Sequence, residues 1–189
     1  MPVHLYADQK LPGWAKKIDV GTTLVQHNRQ RFLNSLSSDP SQRSETKEQF
    51  ATDESDPFLQ ANALREYSQD GYSLIASTPE RAILEMLDEL PKDESFHAVD
   101  MAMESLVDLS PIRVQALLER ATSIKVKRLF FFFADRHRHA WLSRIDRHRV
   151  DLGSGKRMLV KDGVLDTTYG ITVPRDFDRT NKGHSPPKH

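Results

Sequence analysis

Residues 123–157 read SIKVKRLFFFFADRHRHAWLSRIDRHRVDLGSGKR. Four consecutive phenylalanines, Phe130 to Phe133, would cover every side of a helix, and a helix apolar all round is buried on more than one side. A buried strand would look much the same over so short a run. The stretch from Ile124 to His137 carries no turn residue, which favours a helix capped by Ser123. Lys125, Lys127 and Arg128 then fall at its N-terminus, where the macrodipole disfavours cations by about 0.3–1 kcal/mol each when exposed. Something acidic must compensate: Glu80, Glu85 or Asp88 of this chain, or a partner.

Residues 123–161 hold eleven Lys and Arg against three Asp, in a chain of 189 residues whose formal charge is zero. Residues 44–108 hold sixteen acids against four cations. Such a charge dipole has two readings. Either the two halves face each other or are simply solvated, or the basic segment binds an acidic partner such as another protein or nucleic acid.

Outward from the phenylalanine helix, a helical region is predicted from Ser77-Thr78-Pro79-Glu80. Pro79 suits a first turn, Ser77 or Thr78 suits the cap, and Ser77 to Glu80 has capping-box spacing. Ile83, Leu84, Leu87 and Leu90 follow at helical intervals, and Pro91 stops the helix. A second helix is predicted over 93–107, with Phe96, Val99 and Met103 inward. A third starts at Ser110-Pro111, with Val114, Leu117 and Leu118 inward. Val3 to Ala7 and Thr22 to His27 read as strands, and Trp14 to Ile18 as a helical turn. Leu64–Ser68 and Tyr72–Ala76 flank Asp70-Gly71 as a hairpin. Further strands are predicted over 157–161 and 168–173.

The fold class is therefore α+β: a small mixed or antiparallel sheet packed with about four to five helices between residues 78 and 148. One domain is expected over 1–174, interrupted by a polar loop over 37–57 and followed by a disordered tail over 175–189. The size is that of a single ordinary domain. The absence of cysteine excludes disulfides and thiolate–zinc sites. With no apolar run of membrane-spanning length and no signal-peptide pattern, the chain is expected to be cytoplasmic, with no membrane partner.

Several constellations invite chemistry. His137 and His139, two apart, point in opposed directions on a helix, and adjacent arginines repel a cation, so no metal is expected. Gly153-Ser154-Gly155-Lys156-Arg157 departs from a phosphate-binding G-x-x-x-x-G-K-[ST] loop in spacing and in its last residue, and reads as a tight turn displaying two cations. Glu80, Arg81, Glu85, Asp88 and Glu89 fit helix capping and a solvated face better than acid–base work, with Glu80 and Arg81 as a helix-start ion pair. Trp141 reads as a core or interface anchor. No catalytic residue and no cofactor is expected.

The segments Ser77–Leu87 (STPERAILEML), Ser123–Phe130, Ala134–Leu142 (ADRHRHAWL), Asp151–Arg157 and Tyr169–Pro174 (YGITVP) together resemble the antitoxin domain of the AbiEi family of bacterial type IV, or abortive-infection, toxin–antitoxin systems. Weaker similarity reaches Val3-His-Leu-Tyr and Leu11-Pro-Gly-Trp14. The resemblance implies a non-enzymatic antitoxin and transcriptional regulator that opposes a nucleotidyltransferase-like toxin in phage defence, without a stable complex. Members usually carry a winged-helix DNA-binding domain ahead of this region, and nothing before Val3 supplies one, so operator binding through it is not expected of this sequence. The functional surface expected from charge and motif is Lys125, Lys127, Arg128, Arg136, Arg138, Lys156 and Arg157, facing the toxin or DNA. Pro79, Glu80, Arg81, Trp141, Gly153 and Gly155 are expected to be structural. A nucleic-acid-binding module without antitoxin activity is the alternative. A phosphate-handling enzyme using the Gly153 loop is the least favoured reading.

Overall fold

A computed structural model describes residues 3–7, 24–28, 63–69 and 72–178. The chain divides into two compact units, 1–44 and 45–189. In the first, β1 (Val3–Ala7) and β2 (Leu24–Asn28) pair in parallel, Val3 opposite Leu24. A parallel pair needs a crossover rather than a tight turn. In the second, β3 (Leu64–Gln69) and β4 (Tyr72–Ser77) form an antiparallel hairpin, Gln69 opposite Tyr72. Its Asp70-Gly71 tip, the 14–18 turn and the 37–57 loop lie outside the described residues.

Four helices follow: α1 (Pro79–Glu89), α2 (Phe96–Ser105), α3 (Pro111–Arg120) and α4 (Ile124–His137). Three start at a serine whose side chain accepts the backbone N–H three residues on: Ser95 from Ala98, Ser110 from Arg113 and Ser123 from Val126. The first helix differs. Thr78 is its cap residue but makes no side-chain cap bond, and Ser77 instead donates to Glu85 Oε2 at 2.7 Å, so no capping box forms. α2 is also shorter than the predicted 93–107, because Ser95 supplies the cap.

The phenylalanine run is helical and central. Every residue from Val126 to Ala134 is buried. Phe130 faces Trp141 (5.9 Å between centroids), Phe131 stacks on Tyr169 (6.4 Å), and Phe133 meets Phe96 and Phe177 (6.0 and 5.9 Å). Each neighbour comes from a different element, so α4 is wrapped on several sides. Full burial of a phenylalanine side chain stabilises by about 1.5–3 kcal/mol.

The α+β class stands, with the strands among the described residues in three two-stranded sheets, the last being β5 (Val164–Asp166) with β6 (Ile171–Val173). The strand expected over 157–161 is reduced to a single bridge from Arg157 to Ile171. The reason is local: Thr172 Oγ1 accepts from the amides of Leu159 (2.7 Å) and Val160 (3.0 Å), replacing backbone ladder bonds. Of the tail expected to be disordered, residues 175–178 are described and are structured. Arg175–Phe177 make a short 3₁₀ turn, and the Phe177 ring is buried against Phe96 and Phe133.

Candidate functional site

The acidic residues of α1 do not form a solvated face. Glu80, Arg81, Glu85, Asp88 and Glu89 are all buried. Such burial is tolerated only with partners. Arg81 Nε meets Glu85 Oε1 at 2.7 Å, one helical turn on, rather than Glu80. Glu80 reaches across to α3, accepting from the Ser110 amide (2.9 Å) and Arg113 Nη1 (3.1 Å). Burial pushes the Glu80 carboxyl up, but the bonds from Ser110, its own amide and Arg113 outweigh it and hold the group below its ordinary range. The expected Glu80–Arg81 pair is thus replaced by two pairs that tie α1 to itself and to α3.

The cations at the start of α4 are taken up inside the fold. Lys125 Nζ lies 3.4 Å from Asp88 Oδ1, and donates to the carbonyls of Asp88 and, at 3.0 Å, Leu90. Of the three acids that might offset the helix dipole, Asp88 does so. Lys127 and Arg128 are only 6 % and 4 % exposed. The Arg128 guanidinium donates to the carbonyls of Leu152 (2.7 Å), Gly155 (2.7 Å) and Gly170 (3.3 Å), binding the glycine loop to α4. Gly170 has φ +61, and a Cβ there would lie 3.2 Å from Arg128 Nη1. Glycine is therefore required for this approach. Gly153, also at positive φ, lies against Ile124, where a Cβ would meet the side chain at 3.3 Å.

Near the end of α4, Arg136 pairs with Asp100 of α2 (3.1 Å), and His137 Nε2 lies 2.8 Å from the same carboxylate. His139 Nε2 is 2.8 Å from the Met103 carbonyl, and Trp141 Nε1 donates to the Leu106 carbonyl at 2.8 Å. These side chains tie the segment after α4 to the C-terminal end of α2, where the Met103 carbonyl also accepts the Leu106 amide. Trp141 is buried, a core anchor.

One cluster escaped the sequence reading. Arg147 Nη1 donates to Tyr169 Oη (2.7 Å) and Asp135 Oδ2 (3.2 Å), Nη2 also reaches Asp135, and Tyr169 Oη donates to the same carboxylate. The guanidinium lies 4.8 Å from the centre of the Phe131 ring. Burial, then the Asp135 hydrogen bond and charge, push the Tyr169 phenol up to about 12. The Asp135 hydrogen bond raises Arg147 against the effect of burial. The three residues are 12 and 22 positions from one another along the chain, and no local spacing rule connects them. The only hint was that Asp135 and Tyr169 each fall in a motif segment, while Arg147 lies between two of them.

What remains exposed is a subset of the cations. Arg149 pairs with Glu119. Arg138, Arg144, Lys156, Arg157 and Lys161 are exposed and make no ion pair among the described residues. Arg138 ends α4 in the left-handed conformation, φ 54. Lys156 and Arg157 ride on the loop that Arg128 holds. Of the seven cations expected on the surface, then, Arg138, Lys156 and Arg157 are exposed and unpaired. Arg136 is exposed but paired, Lys125 is mostly covered, and Lys127 and Arg128 are buried. No group of three or more His, Asp or Glu side chains that could hold a metal occurs among the described residues. No helix among them is long and apolar enough to cross a membrane.

Comparison with known proteins adds a family. No curated protein and no solved structure matches this chain. A family model described as transcriptional regulator, AbiEi antitoxin, type IV TA system matches residues 2–174. That span takes in α1 with its buried ion pairs, α4, the glycine loop and β6. The chain accordingly belongs to the AbiEi antitoxin family of type IV toxin–antitoxin systems, a family of transcriptional regulators.

Proposed function

We propose that this protein is the antitoxin of a type IV pair, opposing a nucleotidyltransferase-like toxin, and that it acts without catalysis of its own. The supporting observation is the set of exposed, unpaired cations, Arg138, Arg144, Lys156, Arg157 and Lys161, on a chain of this family. In this reading Lys156 and Arg157 meet the acidic partner. Lys125 and Arg128 serve from inside, by fixing α4 and the loop it carries, and Arg136 ties the end of α4 to α2. The toxin is countered without a stable complex. Co-expression with the neighbouring toxin tests the reading: growth is rescued by the parent chain and lost when Lys156 and Arg157 are both reversed to Glu. A folded chain that never rescues growth contradicts it.

The same cations favour a second reading, in which the chain binds nucleic acid through phosphates and has no antitoxin activity. Binding would then weaken steeply with salt, log K falling by about 0.9 per phosphate neutralised for each decade of salt on duplex DNA. Salt-dependent binding without growth rescue would establish this second reading in place of the first.

A further inference from the structure

We propose that this protein associates with itself head to tail, the loop carrying Lys156, Arg157 and Met158 of one copy seating on the α2–α3 corner of the next. Six large hydrophobic side chains are exposed among the described residues, and three fall within this corner: Met101 (65 %), Val107 (59 %) and Ile112 (79 %). Clustered exposed apolar side chains rimmed by polar groups mark interaction surfaces. From Asp93 to Ile112 the chain has five acids and no Lys or Arg. Asp93 and Asp100 are paired, with Lys92 and with Arg136, and the acids of this stretch that remain exposed to a partner are Glu104 and Asp108. Glu104 and Asp108 are exposed and make no ion pair among the described residues.

The complementary surface is on the same chain. Met158 is 77 % exposed, and it directly follows the unpaired Lys156 and Arg157. An apolar tip between cations thus matches an apolar corner between acids. Within one molecule the two are anchored toward opposite ends of α4. Arg128 and Ile124 hold the loop at the first half of α4, whereas α2 is fastened to His137 and His139 past its other end. Nine residues of helix from Arg128 to His137 separate the two attachments by about 14 Å at 1.5 Å per residue. The zero net charge of the chain means that stacking copies accumulates no overall repulsion.

A head-to-tail contact leaves one loop and one corner free at the ends and so propagates to a ring or a short filament, whereas a reciprocal contact, each loop on the other copy's corner, would stop at a two-fold dimer. Charged patches of this kind set specificity and are screened by salt.

Sedimentation velocity of the full chain over rising concentration, in low and high salt, tests the proposal. The parent chain is expected to pass beyond dimers in low salt and to associate about tenfold more weakly in high salt. Lys156→Glu with Arg157→Glu is expected to be monomeric, and so is Glu104→Lys with Asp108→Lys. Mixing these two variants restores complementary charge at both contacts, and association returns. A parent chain that stays monomeric in low salt overturns the proposal, as does association of either variant alone at the parent level. A mixture that stays monomeric also overturns it. So does an outcome in which all forms are monomers and the Glu104→Lys, Asp108→Lys variant alone loses growth rescue, since the corner would then serve a different protein.

Discussion

The cations on the first half of α4 and those beyond its last turn look alike in the sequence, and the fold uses them in opposite ways. Lys125 lies against Asp88, and Arg128 is closed over three backbone carbonyls. Arg138, Lys156 and Arg157 stand in solvent with no acid among the described residues to neutralise them. The difference is one of backbone context. A cation inside a helix wrapped on several sides must find acceptors inside the fold, because burying an unpaired charge is costly. A cation on a glycine turn is under no such constraint. The buried set therefore builds the platform, and the exposed set is available to a partner.

The comparison breaks most readily at α1. Glu85→Ala removes the carboxylate that holds both Arg81 and Ser77 in the buried face of α1, and a loss of about 3 kcal/mol is expected in chemical denaturation. A loss below 1 kcal/mol would mean that the pair is solvated after all. Next comes Arg128→Ala, which removes three bonds to carbonyls, a change of about 3 kcal/mol if two of them remain unsatisfied. Limited proteolysis should then cut first between Leu152 and Met158, while α4 stays protected.

The third test uses alkali. The Tyr169 phenol is raised to about 12 in the fold from its ordinary value of 10.0. Its contribution is fully present below pH 10 and is lost as pH climbs towards 12, because the unfolded chain ionises first. Melting temperature should fall across that window in the parent chain. Tyr169→Phe removes this component, and an unchanged alkaline slope in that variant would separate the Tyr169 cluster from stability. At the acid end the sign reverses. Glu80, held below its ordinary value of 4.5, contributes above that pH and loses its contribution as pH falls through the folded value. The smallest effect is expected at the exposed set: Lys156→Ser with Arg157→Ser should change stability by less than about 0.5 kcal/mol.

Much of this fold could be read from the sequence, and the reason is local. Ser110 and Ser123 cap the helices that follow them, as the sequence announces, whereas the helix expected from residue 93 begins only after its cap Ser95. The phenylalanine run declared its own burial, because no exposed helix is apolar on every side. What was not legible depended on contacts between distant segments. The acids of α1 read as solvated because charged residues are rarely fully buried, and nothing local announced Arg113 at thirty-three residues' remove from Glu80. The Asp135–Arg147–Tyr169 cluster was hidden for the same reason. Arg128 was counted as surface because its acceptors are carbonyls, which every residue possesses and no sequence pattern marks. The N-terminal strands were recognised, but not their parallel pairing, since alternation fixes a strand's faces and not its neighbour's direction.

The division between platform and contact surface is tested most directly by measuring growth rescue and melting temperature together on two double variants. For Lys156→Glu with Arg157→Glu, the account predicts lost rescue at an unchanged melting temperature. For Arg81→Ala with Glu85→Ala, it predicts a lowered melting temperature, with rescue declining only as the folded fraction does. If reversing Lys156 and Arg157 instead lowers the melting temperature and leaves rescue intact, those cations belong to the platform and the account is contradicted.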